Sequence, residues 1–377
     1  MEKIITTYLD IVIAPTLSFI ATFLIIPVVI RLSKKNNLLD KPDHRKQHKE
    51  PIPTMGGIGI VAGMIASAFV WTRLLPLEEA ISISMAIVML LATGILDDLK
   101  GLSASKRFLI QLLAGLFAVR AGIVLHIPDG LFGISHFPSF VEYGFTVFLI
   151  AGVTNSFNLI DGIDGLAGGL GYINSIIFGF LFIYFGNTAY AVLAFCFAAA
   201  LLAFLKYNFN PARIFMGDTG SLVLGFLMVV MGIKVADLSV STAHPTTFLL
   251  LVFSILLIPV IDTLRVFLFR MLKKKSPFSA DRSHIHHLLL KTGFDHKKAS
   301  LVLYMANILL VSEAYLIRSI RTEFAIVILF LSAVALIEIL SIKRLFRIRT
   351  RINVLYSDYK KMSGDNLLLL KYINQKK

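Results

Sequence analysis

Ile11-Val12-Ile13-Ala14-Pro15-Thr16-Leu17-Ser18-Phe19-Ile20-Ala21-Thr22-Phe23-Leu24-Ile25-Ile26-Pro27-Val28-Val29-Ile30 carries no charge, and Arg31-Leu32-Ser33-Lys34-Lys35 follows it directly. A run of this length crosses roughly 30 Å of hydrocarbon as a helix. No water reaches that layer, so the backbone must bond within the segment. The run is too long for the apolar stretch of a signal peptide, and it ends in cations rather than a small-residue cleavage site. It reads as a retained membrane helix.

The rest of the chain repeats this pattern. Of 377 residues 56% are hydrophobic and the mean hydropathy is +0.79, more apolar surface than a soluble domain can use. A β-barrel would show short alternating segments instead. The sequence predicts an all-α, polytopic membrane bundle of about 11 spans, near 11–30, 56–72, 80–96, 107–125, 141–157, 165–185, 188–205, 219–236, 248–271, 299–318 and 324–342. One membrane domain covers 1–342, and 343–377 forms a basic tail with spaced apolar residues, suited to a short amphipathic surface helix. Trp71, at the outer end of its span, suits an interfacial belt.

Charge fixes the orientation. The segments 31–50, 97–107, 206–213, 270–298 and 343–377 fall on one side and hold 30 of the 37 Lys and Arg residues. By the positive-inside rule that side is cytoplasmic, the N-terminus is outside and the C-terminus inside. The formal charge of +14 is therefore topological before it is anything else, and no nucleic-acid partner is needed to explain it. It also draws anionic headgroups and phosphorylated ligands to the inner face. The single cysteine, Cys196, lies inside an apolar run, so a disulfide is excluded and a cysteine metal site with it.

The same side holds the unusual residues. The inner loops carry Leu39 to Lys46 and Pro51 to Gly57, Asp97-Asp98 with Lys106-Arg107 after them, and Asn155 to Gly165. Further on come Asn208 to Ser221, then Asp281-Arg282-Ser283-His284-Ile285-His286-His287. Taken singly these are bland: Asp164 and Asp218 precede apolar runs and can be helix caps, the glycines turn punctuation. Together, Asp97, Asp98, Asp161, Asp164 and Asp218 place five carboxylates at the inner ends of four spans, on the face richest in cations. That grouping calls for a divalent metal and a phosphorylated ligand. Oxygen donors from Asp and Asn suit a hard ion such as Mg²⁺. Histidines at i, i+2 and i+3 do not converge on one point of a helix, which disfavours zinc.

In order, and on one side, Asp97-Asp98, Asn158 to Gly165, Phe215 to Ser221 and His284 to His287 resemble the motifs of the polyprenyl-phosphate N-acetylhexosamine-1-phosphate transferases, a glycosyltransferase family 4 type. The likeness runs from the Asp40 loop to about Phe294. It implies an integral enzyme of the bacterial cytoplasmic membrane, its active site facing the cytoplasm, that joins sugar-1-phosphate from a UDP-sugar to undecaprenyl phosphate. Carried over by motif, Asn158 and Asp218 are the Mg²⁺ (or Mn²⁺) ligands and Asp164 contacts the nucleotide-sugar. Asp97, Asp98 and Asp161 lie at the reacting phosphates, and Lys106 or Arg107 holds the lipid phosphate. Arg282, His284, His286 and His287 close over sugar and diphosphate. Ile285 interrupts the histidine run, which resembles the UDP-GlcNAc branch rather than the branch using UDP-MurNAc-pentapeptide. A homodimer stays open.

A transporter is the reading from another class. Transport sites sit near the bilayer midplane and come with inverted repeats. Here the polar residues gather at one face; Asp262 and Arg265, the clearest charged pair inside a span, lie near its inner end.

Overall fold

The computed structural model describes residues 2–40, 51–126, 137–274 and 283–340. The tail expected at 343–377 lies outside them. Helices α1 (Glu2–Lys35), α2 (Gly56–Leu74), α3 (Leu77–Lys100), α4 (Ala104–Arg120), α5 (Ser139–Ile160) and α6 (Leu166–Tyr184) are followed by α7 (Thr188–Asn208), α8 (Asp218–Ser239), α9 (Pro245–Leu272), α10 (Ile285–Lys291), α11 (His296–Leu316) and α12 (Thr322–Leu340). Among the described residues, ten of these are long and apolar enough to cross a membrane. The protein is a multi-pass membrane protein. The span expected at 107–125 is α4, which has 17 residues and takes Lys106 and Arg107 into its first turn. Its rise is about 25 Å; it is the shortest of the helices at the expected spans and is not among the ten.

Helix α8 is the centre of the bundle. It is apolar on all sides, as a helix buried on all sides must be, and packs against α2, α3, α5, α6 and α9. The first helix packs against α2 and α7 and shows much of its surface to lipid. One continuous apolar core runs through these contacts. Trp71 belongs to it: the indole is 3% exposed and donates to the Met64 carbonyl at 3.2 Å, so it does not form the interfacial belt expected of it.

Polar bonds inside the core have local causes. Pro259 has no N–H, so the carbonyl four residues back in α9, Ile255, loses its helical donor. Asn174 of α6 supplies one at 3.0 Å, and Asn307 of α11 donates to Asn174 at 2.7 Å. Two asparagines thereby join three helices where lipid offers no alternative partner.

At one end of the bundle, two short strands pair antiparallel, β1 (Leu39–Asp40) with β2 (Ile52–Pro53). The ladder continues into the loop before α8: Phe215 donates to the Pro53 carbonyl at 2.7 Å. Gly56 and Gly57 donate back to Phe215 and Met216, each at 2.9 Å. This lacing brings the first and fourth polar loops to one place.

Candidate active site

The N-terminus of α8 organises the site. Its first amides need acceptors, and neither Gly217 nor Asp218 caps them with its own side chain. Asp98, at the end of α3, does so from outside. Its carboxylate accepts from the Asp218 N–H at 3.1 Å, from the Thr219 N–H at 3.2 Å and from the Thr219 hydroxyl at 2.5 Å. Gly217 stands at φ +70°, and a Cβ there would lie 2.5 Å from Asp98 Oδ2, so the turn admits only glycine. The cap reading proposed for Asp218 is thus replaced by one for Asp98.

With its backbone held, the Asp218 side chain is presented sideways. Asn158, near the end of α5, donates to Asp218 Oδ1 at 2.8 Å and to Ser221 Oγ at 2.9 Å. Arg107 donates to Asp218 Oδ2 and, at 2.6 Å, to Asp97 Oδ2; Asp97 also accepts from the Leu102 N–H. One guanidinium therefore bridges the carboxylates of two helices, while Lys106 is exposed. Of those two cations, Arg107 faces the aspartates.

Asp161 terminates α5 and stands on the wall of a cavity of about 460 Å³. Burial, and then the negative charges of Asp218, Asp98 and Asp164, push its carboxyl up to about 8. Asn158, Asp164 and Asp218 also line that cavity, with Asp40 and Thr54 from the laced strand loop and with His287, Lys291 and His296. Asp164 is on the wall, yet its oxygens serve the protein. Oδ2 accepts from the Ala212 N–H at 3.1 Å, and Oδ1 is 2.9 Å from His296 Nδ1.

The three histidines separate. His287 lines the cavity, whereas His284 and His286 are buried behind it. His286 is held neutral, its pKa pushed down to about 3 by burial and by the neighbouring His287, so it brings no positive charge to a phosphate. Arg282 lies outside the described residues. Sequence reasoning missed Lys291 and His296 and gave no role to Asn208, which opens the fourth polar loop. Asn208 accepts from the Gly165 N–H and donates to the Ile214 carbonyl, each at 2.9 Å, fixing the loop before α8. The one signal for Lys291 and His296 was their place in the basic 270–298 segment.

Carboxylates, an amide and cations around one cavity at the ends of membrane helices define a membrane-embedded enzyme. Residues 80–236 match the family model described as Glycosyl transferase family 4. The chain is 36% identical over 328 residues to the "Probable undecaprenyl-phosphate N-acetylglucosaminyl 1-phosphate transferase" of Bacillus subtilis (strain 168), spanning 85% of this chain and 88% of that protein. It is 32% identical over 304 residues to the undecaprenyl-phosphate alpha-N-acetylglucosaminyl 1-phosphate transferase of Escherichia coli (strain K12), spanning 78% and 80%. It is also 32% identical over 289 residues to the decaprenyl-phosphate N-acetylglucosaminephosphotransferase of Mycolicibacterium smegmatis, spanning 70% and 71%. The chain belongs to glycosyl transferase family 4.

Proposed function

We propose that the protein transfers N-acetylglucosamine-1-phosphate from UDP-GlcNAc to undecaprenyl phosphate at the cytoplasmic face of a bacterial inner membrane, releasing UMP. The observation that carries this reading is the cavity lined both by Asn158, Asp161 and Asp218 and by His287, Lys291 and His296. It combines acidic groups for a metal with basic groups for a diphosphate. The relatives named above support the sugar and the lipid.

The residues fit a hard divalent ion. Among the described residues no three His, Cys, Asp or Glu side chains gather as a protein cage, which disfavours zinc. Mg²⁺ needs only one or two carboxylates and leaves room for substrate phosphates. Asp218 and Asn158 would hold it, and the ionisation of Asp161, opposed first by burial and then by three neighbouring carboxylates, is what a cation there would favour. A Mg²⁺ held by these residues would supply neutralisation of the diphosphate charge.

The chain's own groups align the reactants. An oxygen of the lipid phosphate attacks the sugar-bearing phosphorus, and the anhydride bond to UMP breaks as the new one forms. The sugar C1–O bond is untouched. A phosphate monoester has a second pKa of about 6, so the nucleophile is largely dianionic at neutral pH and no general base is required. Asp97, already bonded to Arg107 and Leu102, then acts by holding Arg107 toward the lipid phosphate. Lys291, His287 and His296 meet the donor's diphosphate and sugar.

The test is UMP release by purified protein in nanodiscs with Mg²⁺, undecaprenyl phosphate and a panel of UDP-sugars. Preference for UDP-GlcNAc is expected. Preference for UDP-MurNAc-pentapeptide would refute the branch, and no transfer from any donor would refute the reading.

A further inference from the structure

Behind His287 the histidine segment is fastened to α9. Asp262, three residues past Pro259, is 1% exposed. Its Oδ2 lies 2.9 Å from His284 Nδ1, and its Oδ1 accepts from the Ile285 N–H at 2.8 Å. Arg265 reaches Asp262 Oδ1 at 3.4 Å and donates to the Ser283 carbonyl. Three consecutive residues, 283 to 285, are thus each bonded to one pair on one face of α9. A buried carboxylate is stable only when its oxygens find donors, and here every donor comes from the histidine segment or from Arg265.

The fastening is passed on through rings. His284 and His286 stack with centroids 5.7 Å apart and planes 7° from parallel; His286 and His287 are 4.3 Å apart. On its other side His286 abuts the loop after α5. A Cβ built on Gly162 would lie 2.2 Å from His286 Nε2, so the ring occupies the space beside the residue that follows Asp161.

We propose that Asp262 is a positioning residue: it fixes residues 283–285 and, through the stacked rings of His284 and His286, sets where His287 and the Asp161-Gly162 turn stand on the cavity wall. The ordinary alternative is an ion pair that stabilises packing between spans. The bonds argue against it, because the Asp262 carboxylate accepts from no other membrane helix among the described residues. The inference rests on the reading of the cavity as the UDP-sugar site.

Hydrogen exchange and kinetics on the purified full chain test it. In Asp262→Ala, amides of 283–291 should exchange faster while α8 and α9 keep their protection. The kcat/KM for UDP-GlcNAc should fall by about tenfold or more, as displaced wall groups require, with the KM for undecaprenyl phosphate unchanged. Asp262→Asn keeps an acceptor for Ile285 but cannot serve both Ile285 and the His284 ring as the carboxylate does, so it should fall between. His287→Ala should lose kcat/KM with native exchange. Native exchange of 283–291 in Asp262→Ala would overturn the proposal. So would exchange that rises equally in α8 and α9, which marks a packing residue. Exchange is measured without substrate, so a wild-type protein that turns over no UDP-sugar refutes the function and leaves this arm decisive.

Discussion

Gly94→Ala perturbs the closest approach on which the site depends. In α3, a Cβ on residue 94 would lie 2.4 Å from both Cα and N of Thr219 and 2.5 Å from the Asp218 carbonyl carbon. All three are backbone atoms, so no side chain can turn aside. Ordinary carbon contacts begin near 3.5 Å, so α3 and the start of α8 must part by about 1 Å. The Asp98 carboxylate bonds the Asp218 and Thr219 amides at 3.1 and 3.2 Å, and an added ~1 Å breaks both. Overpacking of this kind costs about 1–3 kcal/mol of stability. The catalytic loss should lie at the upper end of that range: a shift of about 1 Å among positioned groups costs on the order of 100-fold in rate, about 2.7 kcal/mol. Thermal unfolding of the purified variant should show a lowered but cooperative transition, and initial rates of UMP release at a temperature where the variant is folded should show the loss. Gly152→Ala is the control, since its Cβ meets nothing within 4 Å. Full activity in Gly94→Ala would refute the argument that this contact sets the site.

Three further outcomes are expected. Asp218→Ala should abolish Mg²⁺-dependent turnover and leave a folded protein; normal activity at an unchanged Mg²⁺ requirement would remove Asp218 from the metal site. Asp161 has its pKa raised from 3.8 to about 8 by folding. The stability this lends is complete below about 4 and is lost as pH rises through 8. In EDTA, wild-type Tm should therefore fall relative to Asp161→Asn across that window, and parallel curves would contradict the assignment. Reporters fused within 272–298 and after Lys377 should both read cytoplasmic, because 30 of 37 basic residues share that side.

The spans were legible because each must satisfy its backbone alone, and that demand is written in consecutive residues. The meeting of Asp97, Asp98, Asn158, Asp161 and Asp218 was legible for a related reason: topology puts alternate loops on one face. What each carboxylate does there was not. Asp98 caps a helix that begins 120 residues later, and Asp164 binds Ala212 and His296. Both partners are chosen by packing, which no local pattern encodes. The histidine run misled in the same way. Spacing disfavoured a shared zinc, but only burial separates His287 from His284 and His286. Asn174 and Asn307 could have been found, since a proline in an apolar helix announces an unpaired carbonyl four residues earlier.

The lacing of the strand loop to Phe215 and Met216 has a consequence for how the protein is made. Helices enter a membrane in the order of synthesis, so the strands at 39–40 and 52–53 are made long before their partners exist. Helix α1 waits likewise for α7, and Asp98 for the amides of α8. A ribosome halted anywhere before α8 leaves a chain with inserted helices and no site at all. Activity therefore appears in one step, late in translation, and a variant that inserts normally can still be silent because one distant loop never closed.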